Sequence, residues 1–239
     1  MRIGTWNLER RRRGARCDVA YDEALDGMKS NVIVVTEPGP RFRDRHGSVL
    51  LSPVERPNAK GPEAWVGILG HSLETVTLEI DYRRLAVAGR TVLDGTGVLI
   101  YGSVLPWLSA RTHAPDVYGQ SSRPFIDVFE TALNEQVAEM SELRSRYPSD
   151  ALVWAGDFNH TLTDRPVSRK ARDLLRTALT ELGLKAVNAS SPHRMAGMSA
   201  LDLICVDEAW KCAPVEDGYP LYGDQPLSDH RWYVAEVSP

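Results

Sequence analysis

The chain has 239 residues, a formal net charge of −4 and an apolar fraction of 43%. This length and composition allow one large domain with a sizeable core. No run of about 18 apolar residues occurs, which argues against a membrane-spanning helix. The three cysteines form no CxxC pair, so neither a zinc knuckle nor a disulfide framework is indicated. We expect a monomer in a reducing cytoplasm, without a secretory signal.

Strand and helix patterns alternate along the first half of the chain. Residues Arg2–Asn7 and Asn31–Glu37 predict two strands, and Asp18–Lys29 between them predicts a helix with Asp18 as its cap. A series of short apolar runs, separated by Pro, Gly and Asp, then predicts an antiparallel meander. These runs are Val49–Leu51, Ala64–Leu69, Thr75–Ile80, Leu85–Ala88 and Val98–Ser103.

The second half begins with a long polar loop, Trp107–Ser122. Two amphipathic helices follow it, Arg123–Tyr147 and Lys170–Leu182, the second ended by Gly183. The predicted strands of this half are Ala151–Ala155, Lys185–Val187, Leu201–Val206 and Trp232–Val237. No repeat, low-complexity linker or break in composition divides the chain. We therefore predict a single domain, 1–239, with a mixed sheet core covered by helices.

Acidic, amide and imidazole side chains follow or precede several predicted strands. Strand ends in α/β sheets are where functional sites are usually assembled. Oxygen ligands without clustered Cys or His favour a hard cation, Mg²⁺ or Mn²⁺, over zinc. Such a set fits phosphodiester hydrolysis, in which a metal relieves charge, a carboxylate activates water and an imidazole stabilises the developing charge. The side chains are Asn7, Glu37, Asp157, Asn159, Asp229 and His230.

Five stretches resemble the signature blocks of the endonuclease/exonuclease/phosphatase superfamily, the fold of deoxyribonuclease I. They occur along the chain in the same order as in that superfamily. They are Thr5–Leu8, Val34–Pro38, Ala155–Asn159, Leu227–His230 and a weaker block, Ser199–Ile204, which precedes the last of these. The resemblance spans nearly the whole chain. It implies an α/β fold, a four-layer sandwich of two packed mixed β-sheets flanked by helices.

The resemblance also implies a metal-binding half of the site. Glu37 would be the main ligand of Mg²⁺ or Mn²⁺, with Asn7 beside it. Asp229 would lie near the metal or near a second metal position. Each residue has a simpler interpretation as a polar residue at a strand end, and only the ordered blocks make the functional interpretation preferable.

The catalytic half implied by the resemblance contains four residues. Asp157 would orient or deprotonate the attacking water, and Asn159 would contact the phosphate and support Asp157. His230 would stabilise the phosphoryl charge in the transition state. Asp202 would hold His230 in the correct tautomer.

One block departs from the pattern of the superfamily, which usually places His or Tyr in the mid-chain strand before a proline. In this sequence the nearest position is Val104, ahead of Pro106. Ser103 is adjacent, and Tyr101 lies on the same face as Ser103 in a regular strand. Ser103 and Tyr101 are therefore our candidates for the substrate contact that Val104 cannot make.

An arginine cluster follows Asn7 directly and contains Arg10, Arg11, Arg12, Arg13 and Arg16. Such a cluster is commonly a solvated face, but its place beside a predicted metal ligand favours phosphate binding. Arg10 and Arg12 are our candidates here, with Arg111 from the long loop. His46, His71, His160 and His193 are expected to have no catalytic role.

The sequence thus predicts a divalent-metal-dependent phosphodiester hydrolase, an endonuclease acting on DNA or RNA, with a nucleic acid as its partner and no membrane. Two alternatives stay open. One is a phosphatase or phosphodiesterase for a small-molecule or lipid phosphate ester, and the other is a catalytically silent binding protein of the same fold.

Overall fold

The computed structural model describes residues 1–9, 15–39, 42, 46, 49–53, 64–79, 85–108, 124–163 and 168–239. These residues form helices α1 (Ala15–Gly27), α2 (Phe125–Arg146) and α3 (Arg169–Glu181). The longer strands are β1 (Arg2–Asn7), β2 (Val32–Thr36), β4 (Val66–Gly70), β6 (Ala86–Leu93), β7 (Thr96–Val104), β8 (Ala151–Asp157), β10 (Asp202–Asp207) and β15 (Trp232–Ser238). The shorter strands are β3 (Val49–Leu51), β5 (Glu74–Val76), β9 (Leu184–Ala186), β11 (Lys211–Cys212), β12 (Glu216–Gly218), β13 (Leu221–Tyr222) and β14 (Gln225–Pro226).

The strands form two mixed sheets and one small hairpin. The first sheet has the order β11-β15-β1-β2-β4-β3, with β12 on β15, and the second has the order β5-β6-β7-β8-β10-β9. Each sheet contains one parallel pair, β1 with β2 and β7 with β8, and a helix lies between the two strands in the chain. Strands β13 and β14 pair with each other.

The two sheets pack face to face with helices on the outside. A methyl group added at Gly102 of β7 would meet Val66 at 2.9 Å and Val34 at 3.0 Å, so the facing sheets approach closely at this glycine. Helix α1 covers the outer face of the first sheet, where Met28 packs with Ile33 and Trp6. Helices α2 and α3 cover the second sheet through residues such as Phe129 and Leu175. The predicted four-layer sandwich is therefore confirmed.

The strand pair β6–β7 differs from the prediction of two separate short strands. Strand β6 extends to Leu93 and strand β7 begins at Thr96, so the two strands form one long hairpin. The turn residues Asp94 and Gly95 both have positive φ, 51° and 79°. Asp-Gly with two positive φ values is typical of a type I′ hairpin turn. The sequence therefore contained a hairpin signal that the prediction overlooked.

Element boundaries account for the other differences. Helix α1 begins at Ala15, so Asp18 lies in its first turn and is not its cap. Strand β9 begins one residue earlier than predicted, and strands β11 to β14 were not predicted because two or three residues show no periodicity. Ile80, Arg123 and most of the predicted loop after Trp107 lie outside the described residues. Within the part of the chain that the structure describes, no helix is long and apolar enough to cross a membrane.

Candidate active site

The predicted catalytic side chains meet at one edge of the sandwich, where strand ends of the two sheets come together. Asn7 ends β1 in the first sheet, and Asp157 ends β8 in the second. Asn7 Nδ2 donates a hydrogen bond of 2.9 Å to Asp157 Oδ2. Asp202 begins β10 and lies directly opposite Asp157 in the antiparallel register. The site therefore takes its residues from both sheets.

Asp157 is a buried carboxylate with fixed orientation. It is 3% exposed. Besides the contact with Asn7, its Oδ1 accepts a hydrogen bond of 2.9 Å from the backbone N–H of Asn159. Burial, and after it the charge of Asp202, raises the pKa of Asp157 to about 7, while His230 and the Asn159 N–H act in the opposite direction. A carboxyl group with this pKa suits proton transfer near neutral pH.

Asp202 and His230 form a hydrogen-bonded pair beside Asp157. His230 Nδ1 lies 2.5 Å from Asp202 Oδ2, and Asp202 is fully buried. Burial lowers the pKa of His230, but the charge and hydrogen bond of Asp202, together with Asp157 and Asp229, raise it overall to about 10. The proton on Nδ1 is directed to Asp202, and Nε2 lies 3.7 Å from Asp229 Oδ1. The contact expected between Asp202 and His230 is present.

Two further residues, Ser228 and Glu9, hold the Asp229–His230 turn in place. Ser228 Oγ donates to the carbonyl of Asn7 at 2.6 Å and accepts from the N–H of His230 at 3.0 Å. Glu9 Oε2 accepts from the N–H of Asp229 at 2.9 Å. Neither Ser228 nor Glu9 is among the site residues predicted from the sequence. Their one sequence signal is position, since Ser228 precedes His230 by two residues and Glu9 follows Asn7 by two.

Unusual backbone conformations concentrate at this edge. Glu9, Glu37 and Asn159 have φ of 55°, 51° and 54°, and they make up half of the six non-glycine residues with positive φ in the described chain. Such conformations are uncommon outside glycine and cluster at functional sites. Glu37 directly follows β2, its N–H donates to the carbonyl of Trp65 at 2.8 Å, and its charge contributes to the raised pKa of Asp157.

The donor set at this edge fits a divalent cation. Carboxylate oxygens of Asp157 and Asp202 and a ring nitrogen of His230 lie within 4.8 Å of one another. Asp202 Oδ1 is buried and has no hydrogen-bond partner among the residues described. With Glu37 and Asp229 nearby, carboxylates outnumber the single imidazolium, and a hard cation would offset the excess negative charge. The identity and ligands of a metal stay predictions.

Asn7 is arranged to position Asp157. While its Nδ2 donates to Asp157, its Oδ1 accepts from the N–H of Glu9 at 2.8 Å. The side chain is 3% exposed. Both ends of the amide are therefore engaged in the protein, and the predicted contact with a metal would use the second lone pair of Oδ1.

Two predicted substrate contacts, Tyr101 and Ser103, are wrong. Both side chains are fully buried and face the helix side of the sheet. The Tyr101 hydroxyl donates to Glu139 Oε2 of α2 at 2.8 Å, and Ser103 Oγ accepts from Trp154 Nε1 at 2.8 Å. Val104, which is also buried, is the residue of β7 that lies opposite Asp157. The position of β7 beside Asp157 is therefore occupied by an apolar side chain.

The basic substrate contacts that the sequence predicts, Arg10, Arg12 and Arg111, lie outside the described residues. They stay predictions.

No family model matches the chain, and no curated protein matches it. Several solved structures match over nearly the whole length. The human Nocturnin catalytic domain with bound sulfate has a TM-score of 0.67 at 15% identity and covers 100% of this chain and 93% of its own. An endonuclease/exonuclease/phosphatase from Bacteroides vulgatus has a TM-score of 0.66 at 12% identity, with coverages of 99% and 98%. The chain has the endonuclease/exonuclease/phosphatase fold.

A third structure with this fold is the endonuclease domain of TRAS1, a telomere-specific non-LTR retrotransposon. Its TM-score is 0.60 at 16% identity, with coverages of 98% of this chain and 96% of that domain. The endonuclease/exonuclease/phosphatase fold implied by the five sequence blocks is thus confirmed, despite the low identity of each match.

Proposed function

We propose that the protein is a divalent-metal-dependent phosphodiester hydrolase that acts on DNA or RNA. The observation that carries the proposal is the cross-sheet cluster in which Asn7 holds Asp157 and Asp202 holds His230. A buried carboxylate of raised pKa beside a charged imidazole is an arrangement for moving a proton and stabilising negative charge.

Asp157 is the residue that activates water. Hydrogen bonds from Asn7 and Asn159 fix the plane of its carboxylate, which would orient a water molecule toward the phosphorus atom. The carboxylate would take the proton of this water as the new P–O bond forms. Asn159 is in turn held by the hydrogen bond from its Nδ2 to the carbonyl of Leu105 at 3.0 Å.

His230 is the residue that stabilises the phosphoryl oxygens. Asp202 binds its Nδ1, so the opposite nitrogen, Nε2, would donate a hydrogen bond to the charge that develops in the transition state. Glu37, Asp229 and the oxygen of Asn7 would hold Mg²⁺ or Mn²⁺, which when bound supplies charge neutralisation at the phosphate.

The arginine cluster supports a nucleic-acid substrate. Arg10 follows Asn7 by three residues, so the chain itself keeps it within roughly 11 Å of a residue of the site. Lys and Arg near a reaction centre bind successive phosphates of a polymer, and the affinity that they contribute falls with salt. A small phosphate ester would not require them.

The test is a substrate panel of plasmid DNA, single-stranded DNA, RNA and a small phosphodiester, each with Mg²⁺, Mn²⁺ or EDTA. We expect metal-dependent cleavage of a nucleic acid. The double variant R10Q/R12Q should raise KM for the polymer at low salt and leave turnover of the small ester unchanged. Cleavage of none of the four substrates would refute the hydrolase and favour a binding protein.

A second candidate, a hydrolase for a lipid or small phosphate ester, is favoured by a separate observation. Leu108 and Leu221 are 61% and 55% exposed. The topology places Leu108 after the end of β7, which lies beside Asp157, and Leu221 in β13, after the end of β12. Apolar side chains there would contact an apolar substrate group. Turnover of a phospholipid that exceeds turnover of DNA and RNA in the same assay would select this candidate.

A further inference from the structure

The ring of His193 packs against the ring of His230. The two imidazole rings are nearly perpendicular, at 86°, with centroids 5.4 Å apart. This is the edge-to-face geometry that packed aromatic rings prefer. His193 is 7% exposed, so it is a buried neighbour of the imidazole to which the proposed function assigns charge stabilisation.

The loop that carries His193 is held by its own hydrogen bonds. The N–H of His193 donates to the carbonyl of Met198 at 2.9 Å, and the N–H of Met195 donates to His193 Nδ1 at 3.1 Å. An isolated antiparallel bridge joins Pro192 to Ser199. The Tyr233 hydroxyl donates to the carbonyl of Pro192 at 2.9 Å and so ties the loop to β15. His193 is therefore placed by backbone contacts on a fixed support.

The contact with Met195 also defines the tautomer of His193. Because Nδ1 accepts a hydrogen bond, the neutral ring carries its proton on Nε2. Nε2 is buried and has no hydrogen-bond partner among the described residues. Burial, and then the charge of His230, lower the pKa of His193, which favours the neutral ring beside a cation. The neutral ring of His193 therefore packs against His230 without placing a second positive charge next to it.

His230 needs such a neighbour because one hydrogen bond does not fix a ring. The bond from Nδ1 to Asp202 Oδ2, with Asp229 Oδ1 3.7 Å from Nε2, still allows the imidazole to tilt about the line between these two contacts. A rigid ring packed perpendicular to it removes this freedom on one side. Misplacement of a catalytic group by about 1 Å costs on the order of 100-fold in rate.

We propose that His193 is a positioning residue. It holds the imidazole of His230 in the orientation in which Nε2 of His230 reaches the phosphoryl oxygens. The proposal rests on the proposed function for its kinetic consequence, but the packing of the two rings can be tested without activity. The role differs from direct contact with substrate, since Nε2 of His193 is enclosed by protein.

The kinetic test compares His193→Ala, His193→Phe and Met195→Ala on the preferred substrate of the wild-type protein. We expect His193→Ala to lower kcat about tenfold or more with KM within a factor of two, because binding of substrate does not use His193. His193→Phe retains a ring and should recover most of kcat. Met195→Ala keeps the N–H that binds Nδ1 and should match the wild type.

A double-mutant cycle with His230→Ala separates positioning from general destabilisation. If His193 acts through His230, His193→Ala should change the residual rate of His230→Ala less than twofold. Leu179→Ala, which removes a buried side chain of α3, serves as the stability control. Equal losses from His193→Ala in both backgrounds would overturn the proposal, and so would a kcat for His193→Phe as low as that of His193→Ala.

NMR of ¹⁵N-labelled imidazoles provides the readout that does not depend on turnover. The Nδ1–H of His230, hydrogen-bonded to Asp202, should give one sharp downfield resonance in the wild type and in Met195→Ala. In His193→Ala it should shift and broaden. An unchanged resonance would contradict the proposal. If the wild-type protein cleaves no substrate, the proposed function fails while this measurement still decides the role of His193.

Discussion

At the scale of single residues, the site depends on carboxylates whose partners are fixed by the strands that carry them. Asp202 lies opposite Asp157 in the sheet, which is an unfavourable arrangement for two buried negative charges. His230 compensates one of them through its contact with Asp202, and Asn7 and Asn159 donate hydrogen bonds to the other. The arrangement therefore requires each donor, and each can be tested separately.

Asp202→Asn tests the compensation of charge at His230. The amide retains the shape of the carboxylate but removes the charge that keeps His230 protonated and can present the wrong hydrogen-bonding atom. We expect kcat to fall about 100-fold or more, by analogy with the loss of a charged partner to a catalytic histidine. Asp207→Asn, at the other end of β10, should leave kcat unchanged. Equal activity of Asp202→Asn and the wild type would contradict the assigned role.

Gly156→Ala tests the close approach of β8 to β7. Gly156 has φ of 139°, and an added methyl group would lie 2.0 Å from the carbonyl oxygen of Ser103. We expect the free energy of unfolding to fall by about 3 kcal/mol or more, from strain and overpacking together. Gly183→Ala is the matched control, since its φ is also positive at 61° but no atom lies within 4 Å. Its cost should be about 1 kcal/mol. Urea denaturation of both variants measures the difference.

At the scale of secondary-structure elements, the sequence predicted most strands and the order of the site residues along them. It could not predict which side of β7 would face the active site, because a strand buried on both faces shows no alternation of apolar and polar residues. Tyr101 and Ser103 were correctly placed on one face, but that face packs against α2. The contacts of Glu9 and Ser228 were also beyond prediction, since each joins a side chain to a backbone group more than 200 residues away in the chain.

The docking of α2 on the loop after β8 makes stability dependent on pH. His160 is 1% exposed, stacks on Phe125 and packs at a tilt against Phe129 of α2, with ring centroids 5.6 and 4.8 Å away. Burial lowers the pKa of His160 to about 4. Because the unfolded chain binds this proton near pH 6.5 and the folded protein does not, stability is fully present above pH 6.5 and falls as the pH drops toward 4.

We expect His160 to account for a loss of about 3 kcal/mol across this range. His160→Phe removes the titrating group and should flatten the dependence between pH 6.5 and 4 relative to the wild type. Exposed His71, substituted by Gln, should leave the wild-type profile intact. Thermal denaturation at half-unit steps of pH gives the comparison. A profile for His160→Phe that parallels the wild type would refute the assignment.

At the scale of the whole molecule, the two sheets contribute different halves of the site. The first sheet carries Asn7 and Glu37 and the second carries Asp157 and Asp202. Excess negative charge therefore accumulates where the sheets meet, and a bound cation would stabilise their packing as well as the phosphate. Binding of any ligand to the folded state alone raises its stability.

Thermal denaturation with and without Mg²⁺ tests this link. At a concentration about 100 times its Kd, Mg²⁺ should stabilise the wild-type protein by about 2.7 kcal/mol, which raises Tm by several degrees for a chain of this size. Glu37→Gln should lose most of this shift. Glu236→Gln, an exposed substitution in β15, should keep it. An equal shift in both variants would place the cation elsewhere.

The most direct test of the central claim is the initial rate of phosphodiester cleavage by wild type, Glu37→Ala and Asp157→Ala with Mg²⁺ and with EDTA. We predict that EDTA abolishes cleavage by the wild type and that Asp157→Ala lowers kcat by about 10²- to 10⁴-fold. We predict that Glu37→Ala cleaves the substrate only at a much higher concentration of Mg²⁺. Full metal-dependent activity in both variants would contradict it.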